Sequence, residues 1–410
     1  MSDTTGFIDD FDPDDPIALD NPEELYGRLR EHCPVAHSTS YGGFWAVTRY
    51  RDVERVMGDP ETFTSSHGII IPRNPASGRR PPLHYDPPEQ TIYRKAINPV
   101  FRKDRLRRLD PVIRELATSL FPRVGGHGDN EVHVEFFGQY CSRYTAHVVC
   151  AMLNIPVELF DAFADHMELF ESAQRDRDTT GIERENRILY EMCRLVVAER
   201  DSHPLSPEED LVSALLSAEN ELGPLERELV TGSLRQIVVA GHGAPALVLA
   251  SSVLHLARDQ DLQRQLRESP DLIPKAIEEM LRLHTPNIGF ARTATRAVEI
   301  GGQRIAAGDP VAIVLPAANR DPEVISQPND IDLERSEHHL AFGFGPHVCP
   351  GSVVGREEVA VALENLLSKT SAVEVDGEIR FSPWPTSGPI HLPLKLVGVH
   401  TRSGKQVAQR

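Results

Sequence analysis

Residues 339–358 read HLAFGFGPHVCPGSVVGREE, and in that stretch Phe342, Gly345, Cys349 and Gly351 stand at Phe-x-x-Gly-x-x-x-Cys-x-Gly spacing ahead of a predicted helix. A thiolate beside a metal needs its charge stabilised, and backbone N–H groups with the positive end of a following helix can do that. Glycines let the backbone wrap close to the sulfur. Taken alone, Cys349 reads as an ordinary small apolar thiol; the spacing is what turns it into a candidate metal ligand.

Working outward, 352–367 predicts one more helix, and the tail carries strand and turn signals in AVEVDGEIRF, PWPTSGP and IHLPLKLV. Upstream, AIEEMLRLHTP places Glu279 and Arg282 three apart on one helical face, a spacing that alone describes a routine surface pair. ARTATRAVEIGGQRIAAGDPVAIVL alternates β-friendly residues around glycine turns and predicts a hairpin. Residues 89–283 are dominated by helical periods, including EQTIYRKAINPVFRKDRLRRL, DPVIRELATSLFPRV and PEEDLVSALLSAE as separate segments. Near the start, PEELYGRLREHCPV reads as a short helix and GFWAVTRYRDVERVMGD as a strand followed by a helix. The fold class is mainly α with a smaller β-rich portion, as one domain over 22–400. An acidic N-terminal arm, 1–21, and a tail, 401–410, flank it.

With these motifs in order, the chain resembles the cytochrome P450 superfamily from about Pro22 to Leu396. That resemblance implies the family's fold, heme b (iron protoporphyrin IX) as cofactor, and Cys349 as the iron ligand. The family's Glu-x-x-Arg motif buries its pair beside a third arginine, and Arg335 in DIDLERSEHHLAFG matches that position. In DPPEQTIYR, Arg94 matches the arginine that meets a heme propionate, a task suited to a bidentate fork of donors. The family usually has a histidine where this chain has Gln90. Arg292 and His347 match the other usual propionate contacts.

One departure stands out. Family members carry Ala-Gly-x-Asp/Glu-Thr in the long central helix, whereas the aligned string here is Ala240-Gly241-His242-Gly243-Ala244-Pro245, without the acid or the alcohol that pass protons to iron-bound dioxygen. General acid assistance typically contributes ~100-fold to 10,000-fold, so another relay is needed. Pro245 has no N–H and its ring clashes with the carbonyl of Gly241, which predicts a kink and a carbonyl free to hold a water. His242, able to titrate near neutral pH, occupies the family's variable position, which usually points away from the iron.

The expected activity is therefore monooxygenation: one oxygen atom of O2 is inserted into a small, largely apolar or aromatic organic substrate. Electrons come from NAD(P)H through a separate ferredoxin and ferredoxin reductase. The alternatives are a peroxide-driven peroxygenase, or a heme-binding sensor or other relative that is not an oxygenase. The family's pocket segments correspond to 65–71, 163–174, 238–248 and 287–290, with PWPTSGP as a further wall.

Composition agrees. With 43 Lys plus Arg against 61 Asp plus Glu, the formal charge of -18 repels nucleic acid and anionic membranes. Five scattered cysteines, with no Cys-x-x-Cys pair, exclude a disulfide framework and suit a reducing compartment. The acidic start lacks a basic segment followed by an apolar core, so no signal peptide is read and a cytoplasmic location is expected. The apolar run 237–256 is interrupted by glycines, Pro245 and paired serines, and reads as a buried helix rather than a membrane span. In this acidic chain the run Arg102, Lys103, Arg105, Arg107 and Arg108 is a candidate steering patch for an acidic ferredoxin, or a plain solvated helix face.

Overall fold

The spine of the molecule is a helix, α8 (Arg227–Arg258), built from the apolar run noted above and helical straight through Pro245. It is the one helix among the described residues long and apolar enough to cross a membrane, yet 72% of its most apolar window is buried by the rest of the chain. A helix that is apolar all round belongs in a core, and this one takes that place. Before it come α1 (Pro22–His32), α2 (Tyr50–Gly58), α3 (Glu89–Ile97), α4 (Lys103–Ser119), α5 (Arg143–Met152), α6 (Phe160–Arg175) and α7 (Thr179–Ser202). After it come α9 (Ile273–Leu283) and α10 (Ser352–Lys369). Helices α5, α6, α7 and α10 all pack on α8. The computed structural model describes residues 11–20, 22–73, 79–123 and 131–398.

Two sheets flank this helical body. Strands β1 (Val35–Ser38), β2 (Phe44–Val47), β3 (Phe63–Thr64), β5 (Phe290–Ala294) and β6 (Pro310–Ile313) form a sheet in the order β1-β2-β6-β5-β3. Its one parallel pair, β2 with β6, sets Trp45 opposite Val311. Strands β4 (Glu131–Glu135), β7 (Thr370–Val375) and β8 (Pro393–Gly398) form the second sheet, with β8 in the middle. The expected hairpin is two nested pairs: β5 against β6, and inside it Val298–Ile300 against Gln303–Ile305.

Three expectations are corrected. Helix α4 continues through Pro111 rather than dividing there, because Leu106, Ile113 and Ala117 share one buried stripe across that point. In PEEDLVSALLSAE only Leu211–Leu216 is helical; Asp210 caps it by accepting from the Ser213 N–H at 2.8 Å. The acidic opening is not a solvated arm from Phe11 onward, since that ring is 1% exposed and packs edge-on against Phe44 and Trp384. Residues 1–10 and the tail 401–410 lie outside the described residues.

A buried charge cluster ties the sheet side to the helices. Arg282 donates to both carboxylate oxygens of Glu279 at 2.8 Å, and Arg335 Nε reaches Oε1 at 2.9 Å. All three side chains are no more than 4% exposed. Arg282 also donates to the carbonyls of Asn319 and Asp330, and Asp332 N–H to Glu279. Burial alone would raise the Glu279 carboxyl, but the bonds from Arg282, Asp332 and Arg335 hold it below the ordinary glutamate value. Removing one member of such a cluster leaves buried charge uncompensated. Glu279→Ala is expected to lower the free energy of unfolding by ~3–5 kcal/mol, read from urea midpoints against wild type, with Glu279→Gln no better than partly restoring it.

Candidate active site

The Cys349 loop is shaped by its contacts with α2. Gly345 has φ +71, and a Cβ there would lie 2.9 Å from the Met57 carbonyl oxygen, so only glycine allows this approach. The Cys349 N–H closes the loop on the Phe342 carbonyl at 2.8 Å. Gly351 then precedes α10. Burial pushes the Cys349 thiol up; the Gly351 N–H, Arg94 and Arg356 oppose that shift and favour the thiolate. Of the five cysteines, the other four are buried and Cys349 alone is partly exposed.

Behind the loop, α10 is anchored to α9. Glu278 receives Arg356 through both carboxylate oxygens, and His339 Nε2 lies 3.1 Å from Oε2. Arg356 also lies 4.4 Å over the Phe342 ring, so this motif residue packs as a cation–π partner. Burial raises the Glu278 carboxyl, yet its partners outweigh that and bring it to about 2.

Arg94, Arg292 and His347, widely separated in sequence, gather around the loop together with His84, which sequence reading did not single out. Burial lowers His347 to about 4, and Arg292, Arg94 and His84 press in the same direction against Asp86 alone. Arg292, also buried, is lowered to about 10 by desolvation against the opposing charge of Asp86. Among the described residues neither Arg94 nor Arg292 forms an ion pair with a carboxylate. A cation cluster with too few anions beside a cysteine fits the two propionates and iron of a heme. Gln90 differs from its expected neighbours: its Nε2 donates to the Pro346 carbonyl at 2.6 Å, so it braces the cysteine loop. His347 Nε2 sits 3.2 Å from Ser65 Oγ, itself held by Asp86.

On α8, most side chains around the middle are buried, but Gln236, Val239, Ala240 and Ala244 form an open strip, with Ala240 exposed. Within the same stretch, Gly241 and Gly243 are packed tight against neighbouring helices. A Cβ on Gly241 would meet Val149 of α5 at 2.5 Å, and one on Gly243 would meet Glu171 Oε1 of α6 at 2.0 Å. The acid that α8 lacks at Gly243 thus has its place taken by a carboxylate from α6. His242 is 1% exposed, with Nδ1 3.2 Å from Glu171 Oε1 and Nε2 2.9 Å from Ser142 Oγ. Ser142 Oγ in turn donates to Glu168 Oε2 at 2.8 Å. Glu168 and Ser142 line a surface cavity of about 380 Å³. Burial lowers the His242 pKa, but the charge and hydrogen bond of Glu171 raise it overall above the ordinary histidine value. No sequence signal linked Glu171 to this position, because the link is a missing Cβ opposite another helix.

Of the expected pocket segments, 287–290 meets 383–389 directly: the Ile288 and Gly289 N–H groups both donate to the Pro385 carbonyl. Trp384 Nε1 donates to the Ile71 carbonyl at 2.7 Å. Ile71 is core there, and in 163–174 Phe163 and Met167 are fully buried. In the basic run, Arg105 is 5% exposed and spends its donors on the Val100, Met152 and Glu209 carbonyls. Only Arg102, Lys103, Arg107 and Arg108 face solvent, and Arg108 pairs with Glu209.

The family model described as Cytochrome P450 matches residues 187–378. The chain is 31% identical over 366 residues to 20-oxo-5-O-mycaminosyltylactone 23-monooxygenase of Streptomyces fradiae, spanning 86% of this chain and 83% of that protein. It is 31% identical over 400 residues to nocardicin C N-oxygenase of Nocardia uniformis subsp. tsuyamanensis, spanning 93% and 96%. Among solved structures, cytochrome P450 CYP109Q5 from Chondromyces apiculatus superposes with a TM-score of 0.83 at 27% identity, over 96% of this chain and 99% of that one.

The contact at Gly243 is directly testable. Gly243→Ala is expected to cost ~1–3 kcal/mol of stability through overpacking. Most of that loss should vanish in a Glu171→Ala background, a coupling that a double-mutant cycle of denaturation midpoints would measure.

Proposed function

The chain belongs to the cytochrome P450 family, and from that premise we propose a heme-thiolate monooxygenase fed by a separate ferredoxin and reductase, with a proton relay that enters from α6. The observation that carries the reading is Cys349 beside half-buried Arg94 and buried Arg292, neither of which forms an ion pair with a carboxylate among the described residues. Bound there, the iron would supply activation of dioxygen. The protein's part is to hold and feed it: Cys349 as ligand, with Gly351 N–H favouring its charge, and Arg94, Arg292 and His347 on the propionates. The motif residues Phe342, Gly345 and Gly351 shape the loop, and Gln90 fixes it. As family members with this architecture work on organic molecules, an apolar or aromatic substrate is placed along the open strip of α8. One domain over 22–400 in the cytoplasm, apart from membranes and nucleic acid, is the setting this reading takes. The burial of α8 and the net charge of -18 support it.

Protons reach that strip by a route of this chain's own. Glu168 exchanges with water in the surface cavity. Ser142 Oγ accepts a proton from Glu168 as it gives its own to His242 Nε2, and His242 Nδ1 passes one to Glu171 Oε1. The raised pKa of His242 suits it to hold the proton in transit. Glu171 lies against Gly243, two residues from the Gly241 carbonyl that Pro245 leaves without its helical donor, and a water there completes the path. His242 acts through Glu171, so its facing away from the strip does not remove it from the route.

Two measurements test this reading. Replacing Cys349 with Ala should abolish the thiolate-type band of the reduced carbon monoxide spectrum; a surviving band sinks the ligand assignment. With NADH, ferredoxin and reductase, Glu171→Gln should divert turnover toward peroxide and cut product by ~100-fold or more, while product driven by added peroxide holds. Pro245→Thr should also change the product formed per NADH. Unaltered coupling in Glu171→Gln would refute the relay through α6.

A further inference from the structure

Buried arginines in this protein are paired as a rule. Arg282 and Arg335 share Glu279, Arg200 meets Asp210, Arg320 meets Glu23, and Arg105 uses three carbonyls. Arg235 of α8 breaks the rule: it is 1% exposed, and its Nε and Nη2 have no hydrogen-bond partner. Seven residues before His242, it lies on the same face of the helix as that buried side chain, and so turns toward α6 and α7, away from the open strip. Its guanidinium stands 4.4 Å over the Phe170 ring of α6 and 6.0 Å from the Tyr190 ring of α7.

A second cation reaches the same place. The segment before α3 crosses α8 at Gly232, where a Cβ would stand 3.1 Å from the Arg79 carbonyl oxygen, 3.7 Å from Tyr190 Oη and 3.8 Å from Arg80 Cα. Positions three apart on a helix are neighbours, so Arg80, the Tyr190 hydroxyl and Arg235 converge. Arg80 likewise leaves its buried Nε unpartnered. Burial first and Arg80 second lower the Arg235 pKa to about 9; Tyr190, Cys193 and Glu171 oppose this, and Glu171 is already engaged by His242 Nδ1 at 3.2 Å. Three guanidinium nitrogens are thus desolvated beside a phenol, and no carboxylate among the described residues pairs with either arginine.

A desolvated like-charge pair persists in a folded protein when something of opposite charge completes it. We propose that a chloride ion does so here, held by Arg235 and Arg80 with the Tyr190 hydroxyl as a further donor, in the seam between α6, α7, α8 and the segment before α3. A compact monovalent anion suits the place, because Arg235 is closed off from solvent and the surroundings are the aromatic rings of Phe170 and Tyr190 with the Cys193 thiol. The ion fastens to α8 the chain that leads into α3: Arg79 lies 4.8 Å over the Tyr85 ring, which packs 5.7 Å from that of Tyr93. Helix α3 carries Gln90 and Arg94. This site is independent of the heme reading, since none of its residues lies on the open strip or in the cysteine loop.

The experiment uses the heme-loaded protein exchanged into sodium gluconate, with sodium chloride substituted at constant ionic strength and the melting temperature read by calorimetry. Chloride should raise it by ~2 °C or more, as expected of a ligand that binds only the folded chain and is present well above its Kd. Arg235→Met should abolish the chloride response. Arg80→Met should weaken it, and serves if the first variant does not fold. Crystals grown in sodium bromide should show an anomalous peak for bromide between Arg80 and Arg235. An unchanged melting temperature in chloride overturns the inference, and so does a response of the same size in Arg235→Met, which would mark a general salt effect. A seam that holds only water in the bromide crystals overturns it as well.

Discussion

Everything near Cys349 depends on a single carboxylate that two arginines make tolerable in the interior. Glu279 is charged where water cannot reach it, and the guanidiniums of Arg282 and Arg335 use their remaining donors on carbonyls of 319–330. The cluster is therefore a junction more than a source of net stability, since a buried ion pair roughly repays its own desolvation. It fixes where the segment preceding the cysteine loop lies relative to α9. One residue earlier, Glu278 does the same for α10 through Arg356. Two adjacent acids on α9, pointing in different directions, thus hold both approaches to Cys349.

The second constraint is the closeness of α5 and α6 to α8. Gly241 and Gly243 are required because Val149 and Glu171 fill the space that side chains would use. Close packing of this kind leaves no slack for added atoms. The loss of an acid on α8 and the presence of one on α6 are then the same structural fact: a side chain at 243 and Glu171 in its present place exclude each other.

Much of this was legible in the sequence where chemistry is local. The spacing of Phe342, Gly345, Cys349 and Gly351 is a statement about backbone shape over ten residues, and the structure places those residues as one turn leading into α10. Helices and nested hairpins followed from periodicity and glycine turns. Glu279 and Arg282 were visible as a pair, but their burial was not, because spacing says which residues share a face and nothing of what covers it. The same blindness hid the burial of Arg105 and the docking of Phe11, each decided by a distant segment. Glu171 was beyond reach for a further reason: its role depends on a side chain that Gly243 lacks.

A protein with 18 more formal negative than positive charges has no shortage of acids with which to neutralise its buried arginines. It does so at Arg200, Arg282, Arg320 and Arg335, and among the described residues no carboxylate pairs half-buried Arg94 or buried Arg292. That unneutralised pair lies where an outside molecule has reason to be, beside the cysteine loop. Desolvating a cation costs the same whether its partner comes from the chain or from a ligand, so the missing carboxylates locate what the folded chain is built to receive. On that argument the propionates of the cofactor take the place of the carboxylates that the chain withholds from Arg94 and Arg292.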